Sequence, residues 1–134
     1  MITLAQSTID LIATNIADHL TVAWNNGSGE QFAESFTEDA VFVNVYGDIL
    51  HSRISIAKGH QFILDHAFKG VKNKYELIDA VQIDEHTILS HNKGSMPDKE
   101  GGLTMTLVII KQSGQWMIRA LHNTTTTINP FAEQ

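Results

Sequence analysis

The 134-residue sequence contains no cysteine, which removes disulfide frameworks, thiolate nucleophiles and Cys-based zinc sites together and is compatible with a reducing compartment. Basic residues are absent before Arg53, while the first 52 positions hold seven acids, Asp10, Asp18, Glu30, Glu34, Glu38, Asp39 and Asp48. A secretory or mitochondrial leader needs early positive charge, so neither is expected. No run approaches the roughly 18 consecutive apolar residues of a membrane span. These absences predict a cytoplasmic protein. The formal net charge of −6 repels phosphate backbones and anionic lipid surfaces, so neither nucleic acid nor membrane is an expected partner. Phosphate-binding patterns are missing too: there is no G-x-x-x-x-G-K-S/T and no strand-linked G-x-G-x-x-G, which leaves ATP and dinucleotide roles unsupported. A nucleophile elbow is also lacking.

What is present is 43% apolar and 18% charged residues, the balance of a single soluble domain over residues 1–134. Such a domain buries roughly two-thirds of its unfolded surface. From Ser7 to about Asn25, Ile9, Ile12, Ile16, Leu20 and Ala23/Trp24 recur at spacings of three and four, which predicts an amphipathic helix stopped by Asn26-Gly27. Ser28 with Gln31 forms a capping-box pattern for a second helix, whose apolar edge is Phe32 and Phe36. The β-branched and aromatic run 40–46 predicts a first strand ending at Gly47-Asp48. After a short return through Ile49-Leu50-His51, a third helix is expected over 55–68, striped by Ile56, His60, Ile63 and Ala67. Four further strands are expected over 73–83, 86–96, 102–111 and 115–126, separated by turn signals at Asp84-Glu85, Asp98 to Gly102 and Ser113-Gly114. Short turns make consecutive strands antiparallel. The order α-α-β-β-α-β-β-β-β therefore predicts an α+β fold, with helices covering one face of a curved sheet.

Several strings carry a family resemblance: Ala23-Trp24-Asn25-Asn26-Gly27, Phe36-Thr37-Glu38-Asp39-Ala40-Val41-Phe42-Val43, Ile56 with His60 and Gln61, and Gln115-Trp116 leading to His122-Asn123-Thr124. In order and spacing they resemble the nuclear transport factor 2-like superfamily, specifically the SnoaL-like group around the SgcJ/EcaC proteins, over residues 7–126. The resemblance implies a cystatin-like cone. Three N-terminal helices would pack on a strongly curved antiparallel or mixed sheet that encloses a pocket and pairs through its exposed face as a homodimer. Related members include polyketide cyclases, ketosteroid isomerases, dehydratases and non-enzymatic modules, so fold alone does not assign function. The isomerases carry a carboxylate base at the position matching Asn44 and a phenolic donor at the position matching Leu20. An amide cannot take a proton at neutral pH and leucine cannot donate a hydrogen bond, which argues against isomerase chemistry here.

Alternation places Phe42, Asn44 and Tyr46 on one face of the first strand, and Trp116, Ile118, Ala120 and His122 on one face of the last. Arg119 prefers solvent, so the Trp116–His122 face is expected inward and Asn123 outward, unless a bulge shifts the register. His60 interrupts an apolar stripe and is aimed at the sheet. The expected ligand-binding set is Trp24, Phe42, Asn44, Tyr46, His60, Trp116 and His122, with His60 and His122 as candidate acid–base groups. Trp24 and Trp116 suit an anchoring role in the core more than ligand stacking, and Tyr46 and Tyr75 either lend a phenol to the pocket or, more commonly, sit at its rim. His60 and His66 stand roughly 240° apart around a helix, which separates them as metal ligands. No metal or cofactor is expected. The reading that follows is a protein binding an apolar, polyketide-like or steroid-like small molecule. The alternatives are a cyclase, isomerase or dehydratase using histidine acid–base chemistry, and a non-catalytic oligomerisation module.

Overall fold

The fold is described from a computed structural model over residues 2–97, 100–127 and 129–132. Asp98 and Lys99, inside the turn expected between the fourth and fifth strands, lie outside that range. The element order is α1 (Gln6–Asn25), α2 (Gly29–Ala33), β1 (Phe36–Val43), β2 (Ile49–His51), α3 (Arg53–Asp65), β3 (Lys74–Asp84), β4 (Thr87–Ser95), β5 (Leu103–Gln112) and β6 (Gln115–Thr125), as the sequence pattern predicts. The six strands form one sheet in the order β2-β1-β6-β5-β4-β3. All neighbours are antiparallel except β1 and β6, which run parallel.

Helix α1 ends where Gly27 adopts φ 68°, the left-handed conformation that glycine takes without a Cβ penalty. Ser28 then caps α2 by accepting the Gln31 backbone N–H at 3.0 Å. The short α2 lies directly on α3: a Cβ at Gly29 would collide with the backbone oxygen of Ala57. Gln61 of α3 accepts the Gly29 N–H at 2.8 Å and donates to the Gly27 carbonyl at 3.0 Å, fastening the α1–α2 corner onto α3.

The apolar stripe of α1 (Ile9, Ala13, Ile16, Leu20 and Trp24) is buried against the concave face of the sheet. Phe32, Phe36, Phe42, Ile118 and Leu121 complete the middle of that core. Among the described residues, no helix lies on the convex face. A row of paired residues crosses five strands on it, Val81, Leu89, Val108, Ala120 and Val41.

Candidate functional site

His60 sits on α3 at the centre of the concave side and is 4% exposed. Its ring stacks on Phe32 at 4.1 Å between centroids and meets the edge of Phe42 at 4.7 Å. Nδ1 lies 2.8 Å from the Ile56 carbonyl oxygen. A carbonyl only accepts, so Nδ1 carries the proton and Nε2 the lone pair. Burial lowers the His60 pKa from 6.5 to about 4, outweighing the opposing effect of the Ile56 carbonyl. Desolvation disfavours the charged imidazolium, so the ring is neutral at pH 7.

Phe42 is buried beside His60. Trp24 is buried as well, and its indole N–H donates to the Val71 carbonyl at 2.9 Å. Edge-on contacts with Phe32, Phe68 and Tyr75 make it an anchor of the core.

Two expected residues of the first strand lie elsewhere. Strand β1 begins at Phe36 and stops at Val43, so Asn44 and Tyr46 belong to the β1–β2 turn. The Asn44 Oδ1 accepts backbone N–H groups of Tyr46 at 2.9 Å and Asp48 at 3.0 Å. An Asn that satisfies turn amides in this way has its acceptor occupied locally. Tyr46 is 86% exposed at the tip.

The last strand contains the bulge that alternation alone could not locate. Val108 pairs with Ala120 and Ile109 with Ile118, which leaves Arg119 as the extra residue on β6. Beyond it the faces exchange. Ile118 and Leu121 are both buried, His122 lies on the convex side, and Asn123 faces inward opposite Met105. The expectation of an inward His122 and outward Asn123 is thereby reversed. Arg119 remains half-exposed, 3.5 Å from Asp39.

Trp116 precedes the bulge and is half-buried on the concave side. It lines a groove of about 460 Å³ with Ile12, Ile16, His19, Glu34 and Met117. A second groove of about 650 Å³ runs past Asp39, Arg53 and Gln115. Neither groove is lined by His60, Phe42 or Asn123.

The inward polar groups that the sequence did not single out are on β4 and the end of β6. Ser90 and Asn92 are essentially inaccessible, and the Ser90 hydroxyl donates to Asn92 Oδ1 at 3.2 Å. Asn92 and Asn123 flank Met105 across three adjacent strands. Tyr75, far from being at a rim, is buried, and its hydroxyl accepts from Asn73 Nδ2 at 3.0 Å. Burial raises the Tyr75 pKa, so the phenol keeps its proton. Alternation through Ile88, Ser90, Asn92 and Gly94 was the available signal for the β4 pair. Among the described residues, the Asn123 Oδ1 is the one buried side-chain polar atom without a hydrogen-bond partner, and no group of three or more His, Asp or Glu side chains is placed to hold a metal.

No protein-family model matches this chain, and no curated protein matches it. Solved structures do. A cystatin-like domain of unknown function from Nostoc punctiforme superimposes with a TM-score of 0.82 at 25% identity, covering 94% of this chain and 82% of that one. An uncharacterised cystatin-like protein from Caulobacter vibrioides gives 0.74 at 28% identity, covering 94% and 92%. An NTF-2-like protein of unknown function from Shewanella oneidensis gives 0.73 at 12% identity, covering 88% and 98%. The chain thus has the cystatin-like fold of NTF-2-like proteins.

Proposed function

We propose that the protein binds an apolar small molecule, polyketide-like or steroid-like in character, on the concave side of the sheet. The observation that supports this most is the buried, unpartnered Asn123 Oδ1, because leaving a buried acceptor unpaired costs about 1–3 kcal/mol unless a ligand or water supplies the donor. Half-buried Leu77, Met96, Leu103, Ile63 and Phe68 pack against the core on the same side of the sheet, and apolar surroundings are what such a ligand needs. The site belongs to the SnoaL-like kind of pocket in this proposal.

Binding is favoured over catalysis by His60 itself. A general base works best with a pKa near the operating pH, whereas burial holds this imidazole at about 4. His122, the other acid–base candidate, stands on the convex face, in register with Thr106 and Val43. A thermal-shift panel of planar aromatic and polyketide-like compounds tests the proposal. At least one compound is expected to raise Tm without being turned over, since a ligand that binds only the folded state stabilises it. No shift across the panel would instead favour a role confined to oligomerisation.

The same proposal makes the protein a cytoplasmic homodimer paired through the convex face. Ile78, Val81 and Ile83 are exposed there beside the row Leu89, Val108 and Ala120, and contiguous apolar surface of this kind marks interaction sites. The double variant Val81→Glu, Val108→Glu is expected to elute as a monomer by light scattering while the wild type elutes as a dimer. A monomeric wild type would remove the dimer from the proposal.

A further inference from the structure

We infer that a second site, where the two grooves meet at the start of β6, binds a free α-amino acid with a large apolar side chain. It is separate from the interior around Asn123, so either can be filled while the other is empty.

The grooves share Gln115 and Met117, so one continues into the other along the strand. The first, of about 460 Å³, has an apolar wall of Ile12, Ile16 and Trp116. Its one acid, Glu34, stands 3.6 Å from the His19 Nε2. The second, of about 650 Å³, holds charges of both signs, Glu38, Asp39 and Arg53. Asp39 is already engaged: its Oδ1 accepts from the Thr37 hydroxyl at 2.9 Å, and its Oδ2 lies 3.5 Å from the Arg119 Nε. Arg53 commits only its Nε–H, to the Phe36 carbonyl at 2.8 Å. That bond fixes the guanidinium against β1 and leaves both Nη groups without a partner. Among the described residues, neither Arg53 nor Glu38 makes an ion pair.

A cation and an anion that line one groove without pairing match a ligand carrying both charges. The free end of a guanidinium takes a carboxylate through two parallel N–H···O bonds, and the Glu38 carboxylate takes an ammonium. An α-amino acid supplies the two together. A plain carboxylic acid would set an anion against Glu38, and a plain amine a cation against Arg53. Gln112 and Gln115, whose side chains make no hydrogen bond among the described residues, add donors and acceptors for the head group. From there the ligand side chain runs past Met117 to Trp116. Gln115 to Met117 is two strand positions, roughly 7 Å, a span that an aromatic side chain covers. Contact with Trp116, Ile12 and Ile16 then favours large apolar side chains over small ones.

Calorimetric titration with L-phenylalanine, 3-phenylpropionate, phenethylamine and glycine is the test. L-Phenylalanine is expected to bind at least about tenfold more tightly than each of the others, since each lacks one of the three contacts. In Glu38→Gln its advantage over 3-phenylpropionate is expected to vanish, and in Arg53→Gln its advantage over phenethylamine. Glu38 is exposed and unpartnered, so Glu38→Gln decides alone if Arg53→Gln fails to fold. Equal binding of 3-phenylpropionate or phenethylamine by the wild type, or an unchanged ranking in Glu38→Gln, would overturn the amino-acid assignment. No binding of L-phenylalanine at millimolar concentration would overturn the site itself, while the thermal-shift panel separately decides the ligand of the concave interior.

Discussion

Between pH 7 and pH 4 the protein is expected to lose about 3 kcal/mol of unfolding free energy through His60 alone. The folded pKa is about 4 and the ordinary value 6.5. Above pH 6.5 the imidazole is neutral in both states and its contribution is fully present. As the pH falls below 6.5 the unfolded chain takes up a proton that the native state refuses, so stability falls until the folded pKa is reached. Urea titrations at half-unit pH steps measure this directly. In His60→Phe the slope across that window is expected to collapse, because the titrating group is gone and an aromatic ring still packs between Phe32 and Phe42. Asp39 and Asp84 do not mimic the effect. Hydrogen bonds from the Thr37 hydroxyl to Asp39 and from the His86 backbone N–H to Asp84 hold both carboxyls below 3.8, so their losses come at lower pH. A wild-type profile that is flat between pH 6.5 and pH 4 would show His60 to be solvated.

Replacing Phe32 by alanine carries the other large effect. This ring is fully buried and touches Trp24, Phe36, Phe42, His60 and Tyr75, so it joins α1, α2, α3, β1 and β3 at one point. Truncating a buried phenylalanine costs about 3–5 kcal/mol, the transfer term plus the cavity left behind. A fall in Tm of roughly 10–20 °C is expected for a domain of this size. The variant should also alter the acid response. A void beside the imidazole admits water, the His60 pKa moves back toward 6.5, and the loss of stability between pH 7 and pH 4 becomes smaller. The two effects are therefore coupled, and Phe32→Ala combined with His60→Phe should depart from additivity. A loss below about 1 kcal/mol in Phe32→Ala would mean that α2 is not seated on the core as described.

Much of the architecture was legible because its signals are local. The stripe of α1, the Ser28 cap, the stop at Gly27 and the short turns between β3 and β6 each depend on residues within a few positions of one another. The inward aim of His60 was legible in the same way, from its place among Ile56, Ile63 and Ala67. The faces of the end strands were not. Strand β1 begins at Phe36, four residues before its apolar run, and the polar Thr37, Glu38 and Asp39 hid that start; only in the fold is Thr37 buried with its hydroxyl donating to Asp39 at 2.9 Å. The strand ends at Val43 because the Asn44 Oδ1 accepts the Tyr46 and Asp48 backbone N–H groups and closes the turn there.

The bulge at Arg119 had no local signature. It arises from pairing β6 with β5 and β1 together, since Ile118 and Leu121 both have to be buried although they are three positions apart. One inserted residue then exchanged His122 for Asn123. The candidate site changed from two imidazoles to an imidazole and an amide, with Asn92 and Tyr75 close to them in the sheet register.

Central to the site is that His60 is a neutral imidazole held by its Nδ1–H on the Ile56 carbonyl and buried between Phe32 and Phe42. Long-range proton–nitrogen NMR of the histidine rings tests it most directly. One ring is expected in the Nδ1–H form that stays neutral down to about pH 5. A His60 ring in the Nε2–H form, or one that titrates near 6.5, would contradict it.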